Sequence, residues 1–248
     1  MTGAPTGASV TSRALAVLGA FDDRHRALRL VELAERAALP PSTAHRLVAE
    51  LVEWGALRRQ PSGEYVVGRR LWDLGLLAPV QAGLRETASP FLHDLYGATL
   101  ETVHLAVRDG REVLYVDRLA GHRSVPIVST IGSRLPLHAT GVGKVLLAHA
   151  PEEVRSQILG GRLRRFTSYT VTTAARLEEQ LARVRADGYA TTVEEMSAGA
   201  CSVAVPITVE ERVVASVGFV VPDLRRTRQR LVAALQTAAQ GIARSLTS

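Results

Sequence analysis

The stretch LRLVELAERAALPPSTAHRLVAELVEWGALRRQPSGEYVVG, residues 28–68, decides the fold of the N-terminal part of the chain. From Leu30 to Ala37, apolar residues recur at the i, i+3, i+4, i+7 spacing of a helix face. Pro40 and Pro41 follow, and this helix should end there because the residue before a proline is pushed out of the helical region. Pro41 can open a second helix, since the first helical position needs no N–H donor. The pattern therefore predicts two short helices joined by a tight turn.

The start of the predicted second helix has the side chains that reading DNA requires. A recognition helix enters the major groove by its N-terminal part. Small side chains allow close approach, hydroxyl groups can reach phosphates or base edges, and arginine can make two hydrogen bonds to guanine. We therefore expect DNA contacts from Ser42, Thr43, His45 and Arg46.

After this helix come two β-prone runs, residues 56–60 and 64–67, separated by Pro61-Ser62-Gly63. Such runs around a Pro/Gly turn predict a hairpin. Two helices followed by a hairpin make a winged helix-turn-helix. The further DNA contacts expected from the hairpin are Arg58, Arg59 and Tyr65. An ordinary helical core with a surface hairpin is the alternative interpretation.

An earlier amphipathic helix is predicted over residues 12–21, with Thr11 or Ser12 as its cap. Arg13 lies in its first turn, where a basic residue opposes the helix dipole. This position favours a contact between Arg13 and an anion such as DNA. A solvated arginine is the alternative.

The composition limits the class of protein. The chain has 248 residues with 46% hydrophobic residues, enough for one large or two modest domains. A single cysteine excludes an internal disulfide framework and fits a reducing cytoplasm. We expect a flexible leader over residues 1–8, without signal peptide features, and no membrane span. The net charge of +6 favours polyanionic partners.

The pattern changes after Thr99. Asp109-Gly110 between alternating apolar residues predicts a hairpin. Strands are predicted at 101–107, 112–119, 124–130, 189–195, 201–209 and 213–221, and helices at 140–149, 151–159, 175–187 and 227–245. Hairpins with helices segregated between them indicate an α+β domain with a mainly antiparallel sheet. Predicted helices at 68–77 and 84–96 connect the two halves.

Residues 137–144, LHATGVGK, place small residues before a helix start. Free backbone N–H groups at a helix N-terminus, with little side-chain cover, form an anion site that suits a carboxylate. The GVGK string lacks the first glycine and the following Ser/Thr of a phosphate-binding P-loop. A plain capped helix is the alternative.

Five stretches resemble the IclR-type (isocitrate-lyase-regulator) bacterial transcription factors. SVTSRALAVLGAF, LRLVELAERAALPPSTAHRLVAEL and EYVVGRRLWDLG are similar to the DNA-binding half of that family. GSRLPLHATGVGKVLLA and GYATTVEEMSAGACSVAVPI are similar to its effector-binding half. The resemblance covers about residues 9 to 246, in the family's order.

The resemblance implies an organisation and partners. It implies a winged helix-turn-helix at 9–68, a linker helix region at 69–83 and a GAF-like effector-binding domain at 84–248. It also implies a homodimer on a near-palindromic double-stranded DNA operator, and a homotetramer as a dimer of dimers. The expected protein is a cytoplasmic repressor or activator of a metabolic or catabolic operon.

The same resemblance implies where a small effector binds. The positions that match the family pocket are Ala139, Thr140, Gly141, Val142, Thr192, Cys201, Gly218 and Val220. Small-acid sensors of the family carry an acidic residue near Thr192 and hydroxyl residues near Gly218 and Val220. Their absence predicts a more apolar pocket, which favours a bulkier organic acid, including an aromatic one. We also expect Gly218→Asp to add a repelling charge to a domain that still folds.

The rival hypothesis is a hydrolase-like enzyme that uses Cys201 and carries a DNA-binding appendage. A lone cysteine in a strand is usually a small buried hydrophobe, and no catalytic signature surrounds Cys201. His104, His122 and His138 lack metal-ligand spacing. We therefore expect no enzyme activity, no metal and no cofactor.

Overall fold

The computed structural model describes residues 9–22, 25–76, 82–121, 125 and 128–247. Internal contacts divide the chain into two units, residues 1–80 and 81–248. The elements of the first unit are α1 (Val10–Leu18), β1 (Ala27–Leu28), α2 (Leu30–Arg36), α3 (Pro41–Trp54), β2 (Leu57–Arg59), β3 (Tyr65–Val67) and α4 (Arg69–Leu76). Its three strands form an antiparallel sheet in the order β1-β3-β2.

The first unit is a winged helix-turn-helix, as the sequence predicts. Pro41 is the first residue of α3, and Gly55 ends that helix with a φ of 87°, a left-handed conformation that suits glycine. The predicted cap of the first helix is wrong. Ser9 caps α1 by accepting a hydrogen bond from the backbone N–H of Ser12, so α1 begins and ends earlier than predicted.

The second unit is an α+β domain, also as predicted. Its elements are α5 (Ala82–Thr99), β4 (Thr102–Asp109), β5 (Glu112–Leu119), β6 (Arg134–Pro136), α6 (Gly141–Ala148), α7 (Glu152–Leu159), α8 (Ala174–Asp187), β7 (Ala190–Val193), β8 (Cys201–Val209), β9 (Arg212–Val221) and α9 (Arg228–Leu246). The sheet order is β6-β5-β4-β9-β8-β7, and every pairing is antiparallel.

Each face of this sheet packs against different helices. On one face, Val103, Val203 and Phe219 belong to a core with residues of α5 and α9. On the other face, Ala106 and Ala204 belong to a core with residues of α6 and α8. Successive strand residues alternate between the faces, so β4, β8 and β9 each supply both cores.

Two predicted strands are wrong in part. Residues 128–130, the described end of the strand predicted at 124–130, have no strand conformation, and β6 follows at Arg134 instead. The strand predicted at 189–195 ends at Val193, because Glu194 has a positive φ of 54° and leaves the extended path. Both differences matter because these segments border the cavity described below.

Across the ranges that the structure describes, no helix combines the length and the hydropathy needed to cross a bilayer.

Candidate DNA-binding and effector-binding sites

The predicted DNA-reading residues share the first turns of α3. Ser42, His45 and Arg46 are exposed, and Thr43 is half-buried. The apolar stripe of the same helix, including Leu47, packs into the core of the first unit. In the described part of the chain, none of the four polar side chains takes part in a hydrogen bond or ion pair. Their bonding groups are therefore available to a partner.

The two wing arginines lie on opposite faces of the hairpin. In the register of β2 and β3, Arg58 is opposite Val66 and Arg59 is opposite Tyr65. The Arg59 guanidinium carbon lies 5.9 Å from the centre of the Tyr65 ring, a cation–π distance. Arg58 is exposed and has no carboxylate partner among the described residues.

Arg13 is half-buried on α1. Its Nε is buried without a hydrogen-bond partner among the described residues. A buried donor without an acceptor is costly, so this side chain gains from an anion brought close to α1.

The predicted effector residues converge on one cavity in the second unit. It lies on the sheet face that packs against α6. The predicted residues that line it are Ala139, Thr140, Gly141, Val142, Thr192, Gly218 and Val220. These residues are far apart in the sequence. They meet in space because β8 and β9 are adjacent strands and α6 packs across both of them.

Cys201 is the exception, and its assignment to the pocket is corrected. Its side chain belongs to the core on the opposite face, and its Sγ lies 3.7 Å from the carbonyl oxygen of Pro222. Ser202, one residue later, lines the cavity instead. Burial raises the pKa of the Cys201 thiol, whereas a nucleophile needs the thiolate. The hydrolase hypothesis therefore has no support from this site.

The N-terminus of α6 forms one end of the cavity. The Thr140 hydroxyl caps the helix by accepting from the Gly143 N–H at 3.1 Å. The Gly141 N–H donates to the Ser202 hydroxyl at 3.2 Å, and this hydroxyl lies 2.6 Å from that of Thr192. Val142 is the second residue of α6, so its backbone N–H has no acceptor within that helix. One free donor and two hydroxyl groups thus converge where we expect a carboxylate.

The other end of the cavity has polar residues that the sequence analysis missed as site residues. They are His104, Tyr115 and Ser129. His104 Nε2 lies 2.9 Å from the Ser129 hydroxyl. The His104 and Tyr115 rings meet edge to face with centroids 4.9 Å apart. The sequence could have indicated the direction of the His104 side chain. Alternation along the predicted strand 101–107 puts it on the same face as the side chains of Thr102 and Ala106.

Burial controls the ionisation of these groups. It lowers the pKa of His104 to about 3, with a further contribution from the Arg118 guanidinium. The imidazole is therefore neutral near pH 7. Burial also raises the pKa of Tyr115 well above its ordinary value, and the nearby Thr140 side chain opposes that shift. The side chains of His104, Tyr115 and Ser129 that line this end of the cavity are therefore polar but uncharged.

The loop 194–200 closes one side of the cavity with Met196, Ser197 and Ala200. Hydroxyl groups of Thr167 and Thr170 donate to the carbonyl oxygens of Glu194 and Glu195 at 2.7 Å each. No cluster of three or more His, Cys, Asp or Glu side chains suited to a metal ion occurs among the residues described.

Two family models match the chain. The IclR helix-turn-helix domain matches residues 10–61, and the bacterial transcriptional regulator IclR C-terminal domain matches residues 78–244. The transcriptional regulator XynR of Escherichia coli (strain K12) is 34% identical over 210 residues, which are 84% of this chain and 83% of XynR. BhcR of Paracoccus denitrificans is 35% identical over 209 residues, covering 83% of this chain and 75% of BhcR.

Solved structures agree with these matches. An IclR homologue of Microbacterium hydrocarbonoxydans complexed with 4-hydroxybenzoate is 37% identical, with a TM-score of 0.93 over 96% of this chain and 99% of that one. The Thermotoga maritima IclR is 30% identical, with a TM-score of 0.78 over 96% and 98% of the two chains. The chain therefore belongs to the IclR family of bacterial transcriptional regulators.

Proposed function

We propose that this regulator binds a specific operator through α3 and the wing, and that an organic acid in the C-terminal cavity changes its operator affinity. The observation that carries the proposal is the cavity itself. Its walls are mainly apolar, and the free Val142 N–H and the hydroxyl groups of Thr192 and Ser202 converge at one end. That combination suits a molecule with a carboxylate and an apolar body.

The DNA-binding part of the proposal rests chiefly on the polar side chains at the start of α3, which have no hydrogen bond or ion pair among the described residues. Ser42, Thr43, His45 and Arg46 would face base edges, while Arg58, Arg59 and Tyr65 of the wing and Arg13 of α1 would contact the backbone or a groove. In this proposal the protein acts in the cytoplasm as a dimer, or a tetramer built from two dimers, on a near-palindrome that controls a metabolic or catabolic operon. It is not an enzyme.

The domain division proposed for this function is a winged helix-turn-helix at 9–68, a linker helix region at 69–83 and a GAF-like domain at 84–248. The helices α4 and α5 fall in or beside the linker region. Residues 77–81, which the prediction includes in it, lie outside the described residues.

The effector that we propose is an aromatic acid. The related Microbacterium hydrocarbonoxydans protein was solved in complex with 4-hydroxybenzoate, which combines a carboxylate with a flat apolar ring. In this chain Val220 and Leu135 supply apolar wall, and the Tyr115 ring offers an aromatic surface. Such a ligand can alter operator affinity only if it binds the two conformations of the protein unequally.

The experiment begins with a duplex that the full-length protein selects from a random pool. Fluorescence anisotropy then measures its affinity with and without benzoate, 4-hydroxybenzoate and pyruvate, and thermal shifts report direct binding. We expect an aromatic acid to change operator affinity by about 5–150-fold, the usual range of allosteric coupling. Pyruvate should act weakly or not at all, because it leaves the apolar walls uncovered.

Two variants locate the effect. Val142→Trp and Ala200→Phe each add bulk at the cavity lining and should abolish the response while leaving operator binding intact. Val193→Trp is the control, because Val193 is exposed at the end of β7 and is absent from the lining. A response that survives in both cavity variants would place the effector elsewhere.

A further inference from the structure

The far end of the cavity contains a buried histidine with unused hydrogen-bonding capacity. His104 lies in the middle of β4, with only 3% of its surface exposed, and lines the cavity. Its neighbour across the β4–β9 pairing is Gly218. Gly218 lines the cavity as well, and the Ala204 Cβ packs closely against it.

Among the described residues, only one of the two ring nitrogens of His104 has a hydrogen-bond partner. A neutral imidazole has one donor and one acceptor. Nε2 is paired with the Ser129 hydroxyl at 2.9 Å, and among the described residues no group is hydrogen bonded to Nδ1. Ser129 is itself held in place, because its carbonyl oxygen accepts from Arg118 at 2.9 Å. As far as the described residues show, Nδ1 therefore remains available to a ligand.

The neutrality of the imidazole decides what kind of group it can bind. Desolvation and the nearby Arg118 both disfavour the imidazolium, so His104 offers no positive charge to a carboxylate. A ligand hydroxyl needs no charge and can donate or accept, whichever the imidazole tautomer requires. This end of the cavity therefore suits a neutral hydroxyl group.

The two polar ends lie on strands that are separated by one intervening strand, β9. Ser202 on β8 is opposite Val220 on β9, and His104 on β4 is opposite Gly218 on β9. Ser202 and His104 are thus two strands apart, roughly 10 Å across the sheet at the usual strand spacing. The Tyr115 ring contacts the His104 ring and also lines the cavity.

We propose that His104, with Ser129, is the specificity-determining pair of this regulator and recognises a hydroxyl group at the end of the effector opposite its carboxylate. The preferred effector class is then a single-ring aromatic acid with a hydroxyl group across the ring from the acid. This proposal rests on the proposed function, because it assumes that an aromatic acid binds in this cavity.

The test compares two ligands that differ only in the hydroxyl group. Isothermal titration calorimetry measures the Kd of 4-hydroxybenzoate and of benzoate for the full-length protein. We expect 4-hydroxybenzoate to bind about tenfold more tightly or better, since benzoate has no hydroxyl group to form a hydrogen bond with Nδ1. In His104→Phe the two ligands should differ by less than about threefold, because the hydrogen bond that favours 4-hydroxybenzoate is lost.

Further variants separate recognition from a merely structural role. His104→Gln retains a donor and an acceptor and should retain part of the preference, which also covers the case in which His104→Phe does not fold. Ser129→Ala should weaken the preference for 4-hydroxybenzoate, because the imidazole loses the hydrogen bond that fixes its orientation. His149→Phe is the matched control, because His149 is exposed and its Nδ1 contacts the Val145 carbonyl oxygen outside the cavity. It should behave as the unmodified protein.

The outcomes are distinguishable. Equal affinity of the unmodified protein for both ligands, or an unchanged ratio in His104→Phe, overturns the role of His104. The proposed function survives that result if Val142→Trp still blocks both ligands. Failure of both ligands to bind the unmodified protein overturns both proposals together.

Discussion

Lys144 Nζ lies 2.5 Å from Glu195 Oε1, and this ion pair is almost completely buried, with side-chain exposures of 1% and 7%. Burial lowers the pKa of Lys144, while the charge and the hydrogen bond of Glu195 oppose that shift. The second oxygen, Oε2, is buried without a hydrogen-bond partner among the described residues. The pair joins α6, which starts at the cavity, to the loop 194–200, which closes one side of it.

Breaking this pair should be costly. We expect Lys144→Met to destabilise the protein by about 3–5 kcal/mol, because it leaves a buried carboxylate without its counter-ion. The double variant Lys144→Met/Glu195→Leu should recover most of that loss, since it leaves no buried charge. Urea unfolding of the full-length chain measures both. The single variant Glu195→Leu completes the comparison. If the double variant loses as much unfolding free energy as Lys144→Met and Glu195→Leu lose together, the two residues act independently.

The exposed pair of Arg183 and Glu179, 3.9 Å apart on α8, supplies the control. Arg183→Met should change the urea midpoint little, because solvent and salt screen exposed ion pairs.

Stability should fall as the solution becomes acidic. The pKa of His104 is about 3 in the folded protein and about 6.5 in an unfolded chain. Between these values the unfolded chain binds a proton that the folded protein does not, so stability decreases as pH falls below 6.5, by at most about 1.4 kcal/mol per pH unit. His138, whose pKa is also lowered by burial, acts in the same direction.

The measurement is urea unfolding at pH 7.5, 6 and 5. His104→Gln does not titrate in this range, so its stability should depend less on pH than that of the unmodified protein. Identical pH dependence of the two proteins would contradict the neutral, buried state of His104.

Gly218 should not tolerate even a methyl group. A Cβ at this position would lie 2.8 Å from both the Val203 carbonyl oxygen and the Ala204 Cβ. We expect Gly218→Ala to lower the melting temperature, because the β8–β9 pairing must shift to relieve the contact. This contact also corrects the expectation that Gly218→Asp leaves the fold intact, so it is a poor test of the effector site.

Gly97→Ala is the matched control, since nothing lies within 4 Å of an added Cβ on this α5 residue. It should leave the melting temperature unchanged or raise it, because alanine favours a helix by about 0.5–1 kcal/mol over glycine. Equal melting temperatures for Gly218→Ala and the unmodified protein would show that the strands adapt.

Arg46 and Arg58 should affect DNA binding differently. Arg46→Ala should cost about 1–3 kcal/mol of specific binding and relax the preference at one operator position. Arg58→Ala, if that side chain contacts a phosphate, should weaken operator and scrambled duplexes alike and reduce the salt dependence of binding. Anisotropy titrations against both duplexes measure this. An unchanged operator affinity for Arg46→Ala would remove α3 from the role of recognition helix.

The spacing of the operator should report the proposed dimer. Two recognition helices of a symmetric dimer engage half-sites about 34–36 Å apart, one turn of DNA, or a multiple of it. Inserting half a turn between half-sites should therefore abolish tight binding, and inserting a full turn should restore part of it. Footprinting across such duplexes tests the proposal, and indifference to half a turn would argue against a rigid dimer.

The sequence by itself determined the local elements of this protein. The apolar spacing before Pro40 and after Pro41 specified two helices, and in the structure α3 and α8 end at glycines, Gly55 and Gly188, with φ values of 87° and 76°. These features depend on neighbours a few residues apart along the chain. Local steric and periodic rules therefore suffice to predict them.

The tertiary structure decided which side chains share the cavity. Cys201 and Ser202 are neighbours in the chain, yet the pairing register of β8 turns one toward the helical core and the other toward the cavity. His104 and Ser129, or Lys144 and Glu195, meet only because strands and loops distant in sequence pack together. A shift of one residue in register exchanges the two faces of a strand, so no spacing rule along the chain could select these partners.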